Sequence, residues 1–312
     1  MLSSAVFAET FRVSKLHVAE ISQTADSEAN ARVGINDSLA VKLPEDRSFI
    51  IGIEVKIDIP ESVASWMDSV AFSVYENVNP FPSENQIDYS GSRVFVNTLP
   101  NRLSWILQFP LTTDNQIKAN KYTTKVDRVM NLNQGFLFLR FQPVMKGVPE
   151  ETLKAIIPVT VKPILANKGR LNINVKAEGN NSPVYTLFID DKPADSSKKA
   201  LILESGIHNI SVISDSYRNE LRTVRVDQAK TSEITIELKS VEPTLVINAP
   251  EGTQIHIDGE KCTSIGKEFV ISEGEHKIRF KFGDYESVRT LTINRGKTYT
   301  ANFSVDLQIT EE

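Results

Sequence analysis

The side chains that could do chemistry in this 312-residue chain are few: four histidines, one cysteine and scattered loop acids. His208 and His276 hold equivalent places in a duplicated stretch, which invites a metal reading. Their setting, Gly206-Ile207-His208 and Gly274-Glu275-His276, favours a structural role in which each imidazole packs or hydrogen-bonds where a strand leaves its turn. His256 alternates with Ile255 and Ile257 and is expected on the opposite face from them, and His17 lies in the first strand region. No carboxylate stands beside a histidine at ligand spacing, so zinc is a weak reading. The nucleophile elbow, the P-loop, the dinucleotide fingerprint and the zincin helix are all missing. Glu84 and Asp88 share a loop, and paired carboxylates can hydrolyse glycosides. A hydrolase site in the N-terminal half therefore stays an alternative, but accidental pairs are common among so many loop acids. The expectation is no enzyme, with no catalytic residue, metal or cofactor. Cys262 has no partner for an internal disulfide and cannot anchor a Cys-rich metal site. It follows a predicted hairpin and reads as a buried or half-buried bystander, with an intermolecular disulfide as the alternative.

The aromatic residues of the first half offer recognition in place of catalysis. Trp66, Phe81, Tyr89, Trp105 and Tyr122 could present flat rings to carbohydrate. Core packing is the competing role. Trp105 alternates with Ile106 and is expected in the core, whereas Phe81 stands between Pro80 and Pro82 and is expected to be exposed. Phe81, Trp66, Tyr89 and Tyr122 are the candidate interaction surface.

The elements that must position these residues are strands. Apolar runs are short, β-branched or aromatic, and bounded by turn residues. Strands are expected near 11–18, 38–43, 49–59, 70–77, 92–98, 104–111, 136–144 and 156–164. Ile51, Ile53, Val55, Ile57 and Ile59 alternate with Gly52, Glu54, Lys56 and Asp58, the period of a strand with one buried face. Phe136-Leu137-Phe138-Leu139-Arg140-Phe141 is apolar on both faces and suits a central strand. Eight such strands predict a β-sandwich over residues 9–165, with the jelly roll as one form it can take. Short helical connectors are expected at Ser62–Met67, with Ser62 as a cap, and at Val126–Met130. Pro163 is expected to end a strand, and the polar Ala166-Asn167-Lys168-Gly169 marks a domain boundary.

The C-terminal half repeats itself. Asp190, Gly206, His208 and Tyr217 are matched by Asp258, Gly274, His276 and Tyr285, each pair 68 residues apart. Two modules, 169–240 and 243–306, follow one five-part strand plan and are joined by the short Val241-Glu242-Pro243 link. Asp258-Gly259 signals a type I′ hairpin, for which Asp190-Asp191 is the weaker version. The first module carries about six extra residues, which map to Glu178-Gly179-Asn180-Asn181-Ser182. The second module resembles the PEGA family, through Pro250-Glu251-Gly252-Thr253 in the place of the naming motif, Ile257-Asp258-Gly259, Gly274-Glu275-His276 and Tyr285. The first module is a divergent copy that keeps Glu178-Gly179 and Gly206-Ile207-His208. The resemblance implies small β-sandwich modules of exported surface proteins that bind or space other parts. It carries no catalytic residues over and leaves the N-terminal domain unexplained.

Composition narrows the partners. The net charge of −5 is shared evenly, −2 over residues 1–165 and −3 over 166–312, so no cationic footprint for nucleic acid is expected. Ser3-Ser4-Ala5-Val6-Phe7-Ala8 resembles the tail of a secretory signal, with Val6 and Ala8 at the small-residue positions. No cysteine follows it to carry a lipid, and no run of about 18 apolar residues could span a membrane. The sequence therefore reads as an exported, non-catalytic all-β protein of the bacterial envelope, in the periplasm or at the cell surface. Its expected partners are envelope or filament proteins. Polysaccharide binding and a sheath role on a periplasmic flagellar filament are the alternatives.

Overall fold

The computed structural model describes residues 8–113, 115–177 and 182–305. Residues 1–7 of the expected signal remnant and 178–181 of the expected insertion lie outside them. The described chain is all-β, with two helices of a single turn. It divides into two compact units: residues 1–170 with 202–206 and 226–232, and residues 171–201, 207–225 and 233–312.

The first eleven strands are β1 (Ala8–Arg12), β2 (Leu16–Glu20), β3 (Ala29–Gly34), β4 (Ser38–Lys42), β5 (Ile50–Asp58), β6 (Val70–Asn79), β7 (Asp88–Thr98), β8 (Ser104–Pro110), β9 (Thr123–Lys125), β10 (Phe136–Pro143) and β11 (Ile156–Leu165). They form a six-stranded sheet, β1-β7-β6-β10-β4-β2, and a five-stranded sheet, β3-β11-β5-β8-β9. Within these, β4-β10-β6-β7 and β3-β11-β5-β8 pair antiparallel throughout. That arrangement is the jelly roll, two four-stranded sheets threaded by Greek keys. β2 joins β4 and β9 joins β8 in parallel, and β1 joins β7 antiparallel.

Alternation builds the core between the sheets. Ile53, Val55 and Ile57 of β5 turn inward and share one buried cluster with Phe72 and Val74 of β6 and Leu137, Leu139 and Phe141 of β10. Trp105 is in this cluster, 6.3 Å edge-on from Phe72, so the core reading of Trp105 holds. The opposite face of the six-stranded sheet is buried as well. There Tyr75, Tyr89, Phe136 and Phe138 form a second cluster with Val13 and Leu16. β1 and β2 stand at opposite edges of this sheet, yet only residues 13–15 separate them. Val13 N–H donates to Ile87 O at 2.9 Å and Ser14 N–H to Asn36 O at 2.8 Å. So short a link spans roughly 14 Å at full extension. The sheet must therefore curl until its two edges come near each other, and residues 8–20 close it over the second core.

Several expectations are corrected. The strand near 11–18 is two strands. β3 and β9 were not foreseen, nor was α2 (Glu150–Leu153). α1 spans Glu61–Ala64 with Pro60 at its N-cap, so Ser62 lies inside the helix and does not cap it. Val126–Met130 is irregular: Val126 N–H donates to Gln108 O at 2.9 Å and Met130 N–H to Pro110 O at 2.8 Å, which lays the segment along β8. Pro163 lies within β11, past the last residue paired with β3, where the strand has one neighbour and tolerates proline.

The modules have seven strands each where five were expected. The first contains β12 (Lys168–Ala177), β13 (Thr186–Ile189), β14 (Lys192–Ala194), β15 (Ala200–Glu204), β16 (Gly206–Ile213), β17 (Glu220–Val226) and β18 (Thr231–Leu238). The second contains β19 (Thr244–Asn248), β20 (Gln254–Ile257), β21 (Glu260–Lys261), β22 (Glu268–Val270), β23 (Gly274–Phe282), β24 (Tyr285–Ile293) and β25 (Thr298–Asn302). Strand orders match one for one: β15-β12-β18 with β22-β19-β25, and β14-β13-β16-β17 with β21-β20-β23-β24. Register matches too, since Leu187 faces Val212 where Ile255 faces Phe280. All four are buried. Between the modules, Val241 N–H donates to Ser216 O at 3.1 Å, and Val241 O accepts from Gly296 N–H at 2.7 Å.

Candidate functional site

The residues that mark the repeat assemble into the same device twice. Asp258 opens the β20–β21 turn with φ 53°, and Gly259 follows with φ 92°, the paired positive angles that a tight primed hairpin needs. The Asp258 carboxylate reaches across the sheet to the start of β23. Its Oδ2 lies 2.6 Å from His276 Nδ1, and its Oδ1 accepts the Lys277 N–H at 2.8 Å. In the first module Asp190 Oδ2 lies 2.6 Å from His208 Nδ1, and Oδ1 accepts the Asn209 N–H at 2.9 Å. Asp190 and Asp191 have φ 49° and 64°. The backbone N–H of Lys277, and then His276, hold Asp258 below the usual carboxylate range. The N–H of Asn209 and then His208 do the same for Asp190. Sequence spacing hid these pairs because each acid lies 18 residues before its histidine, two strands away.

This geometry has the outline of a nucleophile triad but not its chemistry. Ser272 Oγ is 3.3 Å from His276 Nε2, while the Ser272 carbonyl oxygen is nearer, at 2.8 Å. A carbonyl only accepts, so Nε2 carries a proton, and the carboxylate claims one on Nδ1. The Asp258 carboxylate, foremost, raises the His276 pKa. While the ring is protonated it donates from both nitrogens, and in that form it cannot take a proton from Ser272. The pair locks a turn to a strand. His17 acts similarly at the β3–β4 turn, where its Nε2 lies 3.0 Å from Asp37 Oδ2, which also accepts the Gly34 N–H. Among the described residues no three His, Cys, Asp or Glu side chains gather to hold a metal. Cys262 is half-buried and packs against the core of the second module.

The four candidate surface aromatics do not come together. Tyr89 is 3% exposed, locked in the second core with its hydroxyl donating to Gln86 O at 2.9 Å, and is removed from the surface set. Its ring faces the curl of the six-stranded sheet, which the chain's own residues 8–20 occupy. Phe11 fills that space, 4.5 Å from the Tyr75 ring, with the Arg140 guanidinium over the Phe11 ring at 5.0 Å from its centroid. A flat aromatic face for sugar is therefore covered there. Phe81 is exposed at the β6–β7 turn, edge-on to Phe136 at 5.1 Å. Trp66 is exposed beyond the other end of β6, and a strand of ten residues, roughly 33 Å, separates the two. Tyr122 is exposed just before β9, with Lys121 Nζ 4.7 Å from its ring.

The carboxylate pair fares no better as a catalytic site. Asp88 is exposed and lies 3.5 Å from the Arg12 guanidinium. It is the one acid lining a shallow cleft shared with Thr10, Phe11, Asn79 and Tyr89. Glu84 is not among those lining residues.

An apolar surface unforeseen in the sequence lies at the α1 end of the jelly roll. Trp66 and Met67 follow α1, Leu103 precedes β8, Val144 and Met145 follow β10, and Leu153 ends α2; all six are exposed. Hydrogen bonds, two between backbone groups and one from a side chain, tie these loops together. Val144 N–H donates to Ser69 O and Ile59 N–H to Leu103 O, both at 2.9 Å, and Thr152 Oγ1 donates to Ser62 O at 2.9 Å.

No family model matches the chain, and no curated protein matches it. Among solved structures, the Bacillus anthracis TIE protein aligns over 98% of this chain and 58% of its own, at 11% identity and a TM-score of 0.27. A streptococcal ancillary pilin aligns over 85% and 98%, at 10% identity and a TM-score of 0.23. The pilus adhesin SpaC from Lactobacillus rhamnosus GG aligns over 95% and 42%, also at 10% identity and 0.23. The chain thus spans little more than half of the first of these.

Proposed function

We propose that this chain is a non-catalytic interaction protein of the bacterial envelope, exported to the periplasm or cell surface. In this reading the jelly roll makes the specific contact with envelope or filament proteins. The two modules, PEGA-like in their motifs, provide spacing and attachment. One observation carries the proposal: both modules use their shared aspartate and histidine to lock the same turn to the same strand. The duplicated residues thereby serve the fold, and recognition falls to the jelly roll, where Phe81 and Tyr122 stand exposed. The export part rests on the Val6 and Ala8 pattern of the sequence. No helix among the described residues is long and apolar enough to cross a membrane.

The test is capture from native envelope fractions with the full chain as bait. Specific recovery of an envelope protein is expected, weakened by Phe81→Ser or Tyr122→Ser and untouched by Val184→Ser in the first module. Equal capture by all variants, or recovery of no envelope protein, would overturn the reading.

A further inference from the structure

We infer that the α1 end of the jelly roll is a self-association surface, and that its occupant is the same surface of a second copy of this chain. Six exposed apolar side chains stand on its linked loops: Trp66, Met67, Leu103, Val144, Met145 and Leu153. Tryptophan and methionine are the residue types that anchor protein interfaces. Tryptophan fills a pocket with rigid area, and methionine adapts to what it meets.

Charge selects the occupant. The same loops carry the acids Glu61, Asp68, Glu150 and Glu151 and the bases Arg102, Lys146 and Lys154, all exposed. An anionic bilayer would be repelled by the acids, which these loops would carry into the headgroups with the apolar tips. A partner of one charge sign would meet like charge at half the rim. In a two-fold pair each surface is its own complement, so a rim of mixed sign can set acids of one copy against bases of the other. The pairing is a property of the purified chain and does not depend on the envelope reading.

Sedimentation equilibrium of the full chain gives the test. Self-association is expected, and Leu103→Glu or Met145→Glu should weaken it by about tenfold or more. Both side chains are exposed, so neither change disturbs the core. Val184→Glu, an equally exposed apolar site in the first module, should leave association unchanged. Fluorescence supplies a second readout, since the chain has two tryptophans and Trp105 is buried. Acrylamide quenching of Trp66 should fall as protein concentration rises, and Met145→Glu should abolish that change. A chain that stays monomeric up to about 100 μM would overturn the inference, as would association indifferent to both variants. Binding to phosphatidylcholine vesicles that Leu103→Glu abolishes, without self-association, would assign the surface to lipid instead.

Discussion

His276 Nδ1 and Asp258 Oδ2 meet at 2.6 Å, and His208 and Asp190 repeat the contact at the same length. These side chains add to the backbone bonds Asp258 N–H to Lys277 O and Asp190 N–H to Asn209 O, both at 2.9 Å, in holding the β20–β21 and β13–β14 turns to β23 and β16. Buried His276 also bonds the Ser272 carbonyl, so His276→Ala removes two hydrogen bonds of a charged donor at once. A loss of about 1.5–3 kcal/mol in urea-unfolding stability is expected, with the second module opening first in hydrogen exchange.

The pair should also leave a pH signature. Asp258 raises the folded pKa of His276, so its contribution is complete below the unfolded value, about 6.5, and declines as pH rises through the folded one. The folded pKa of Asp258 is lowered, so its contribution is present above about pH 3.9 and declines as pH falls through the folded value. The stability gap between the wild type and His276→Gln should therefore be wider at pH 5.5 than at pH 9. A gap independent of pH would show that the ring acts by packing alone.

The two turns differ at their second position. Asp191 holds a left-handed angle that Gly259 adopts without a Cβ. Asp191→Gly should stabilise the first module by up to about 1 kcal/mol, while Gly259→Val should destabilise the second by about 1–2 kcal/mol. Thermal melts of the two variants should move in opposite directions.

Glu76 anchors the irregular segment beside β8. Its buried carboxylate accepts the Asn131 N–H at 2.6 Å and the Arg128 guanidinium at 3.2 Å. Glu76→Ala leaves both donors behind and should cost about 1–3 kcal/mol. Trypsin should then cut after Arg128 earlier than in the wild type.

Phe11 closes the second core, whereas Phe81 rests on its rim. Phe11→Ala should destabilise the chain by about 1–3 kcal/mol, and Phe81→Ala by no more than about 0.5 kcal/mol. Equal effects in chemical denaturation would mean that residues 8–20 add little to the jelly roll.

Where burial follows a simple period, the sequence was readable. The alternation from Ile51 to Ile57 located β5, and the double-faced Phe136–Phe141 run located a central strand. β3 escaped because Ala29, Ala31 and Gly34 are too small to write an apolar pattern. Val126 and Met130, four residues apart and both buried, imitated a helix while an irregular chain dipped twice into the core. Tyr89 was misplaced because the second core covers the face that a two-layer sandwich leaves to solvent. The Asp–His pairs were visible as repeated letters but not as contacts, since strand pairing alone brings residues 190 and 208 together. The apolar end was hidden for a related reason: its side chains come from loops that are distant in sequence and adjacent only once the Greek keys are threaded.

Val241 is held on its N–H side by the first module and on its carbonyl side by the second. A pull applied along the chain therefore finds no slack at this junction. Both hydrogen bonds must break before the linker can lengthen, so small loads pass from one module to the next as through a stiff rod, and only larger ones convert the joint into a tether.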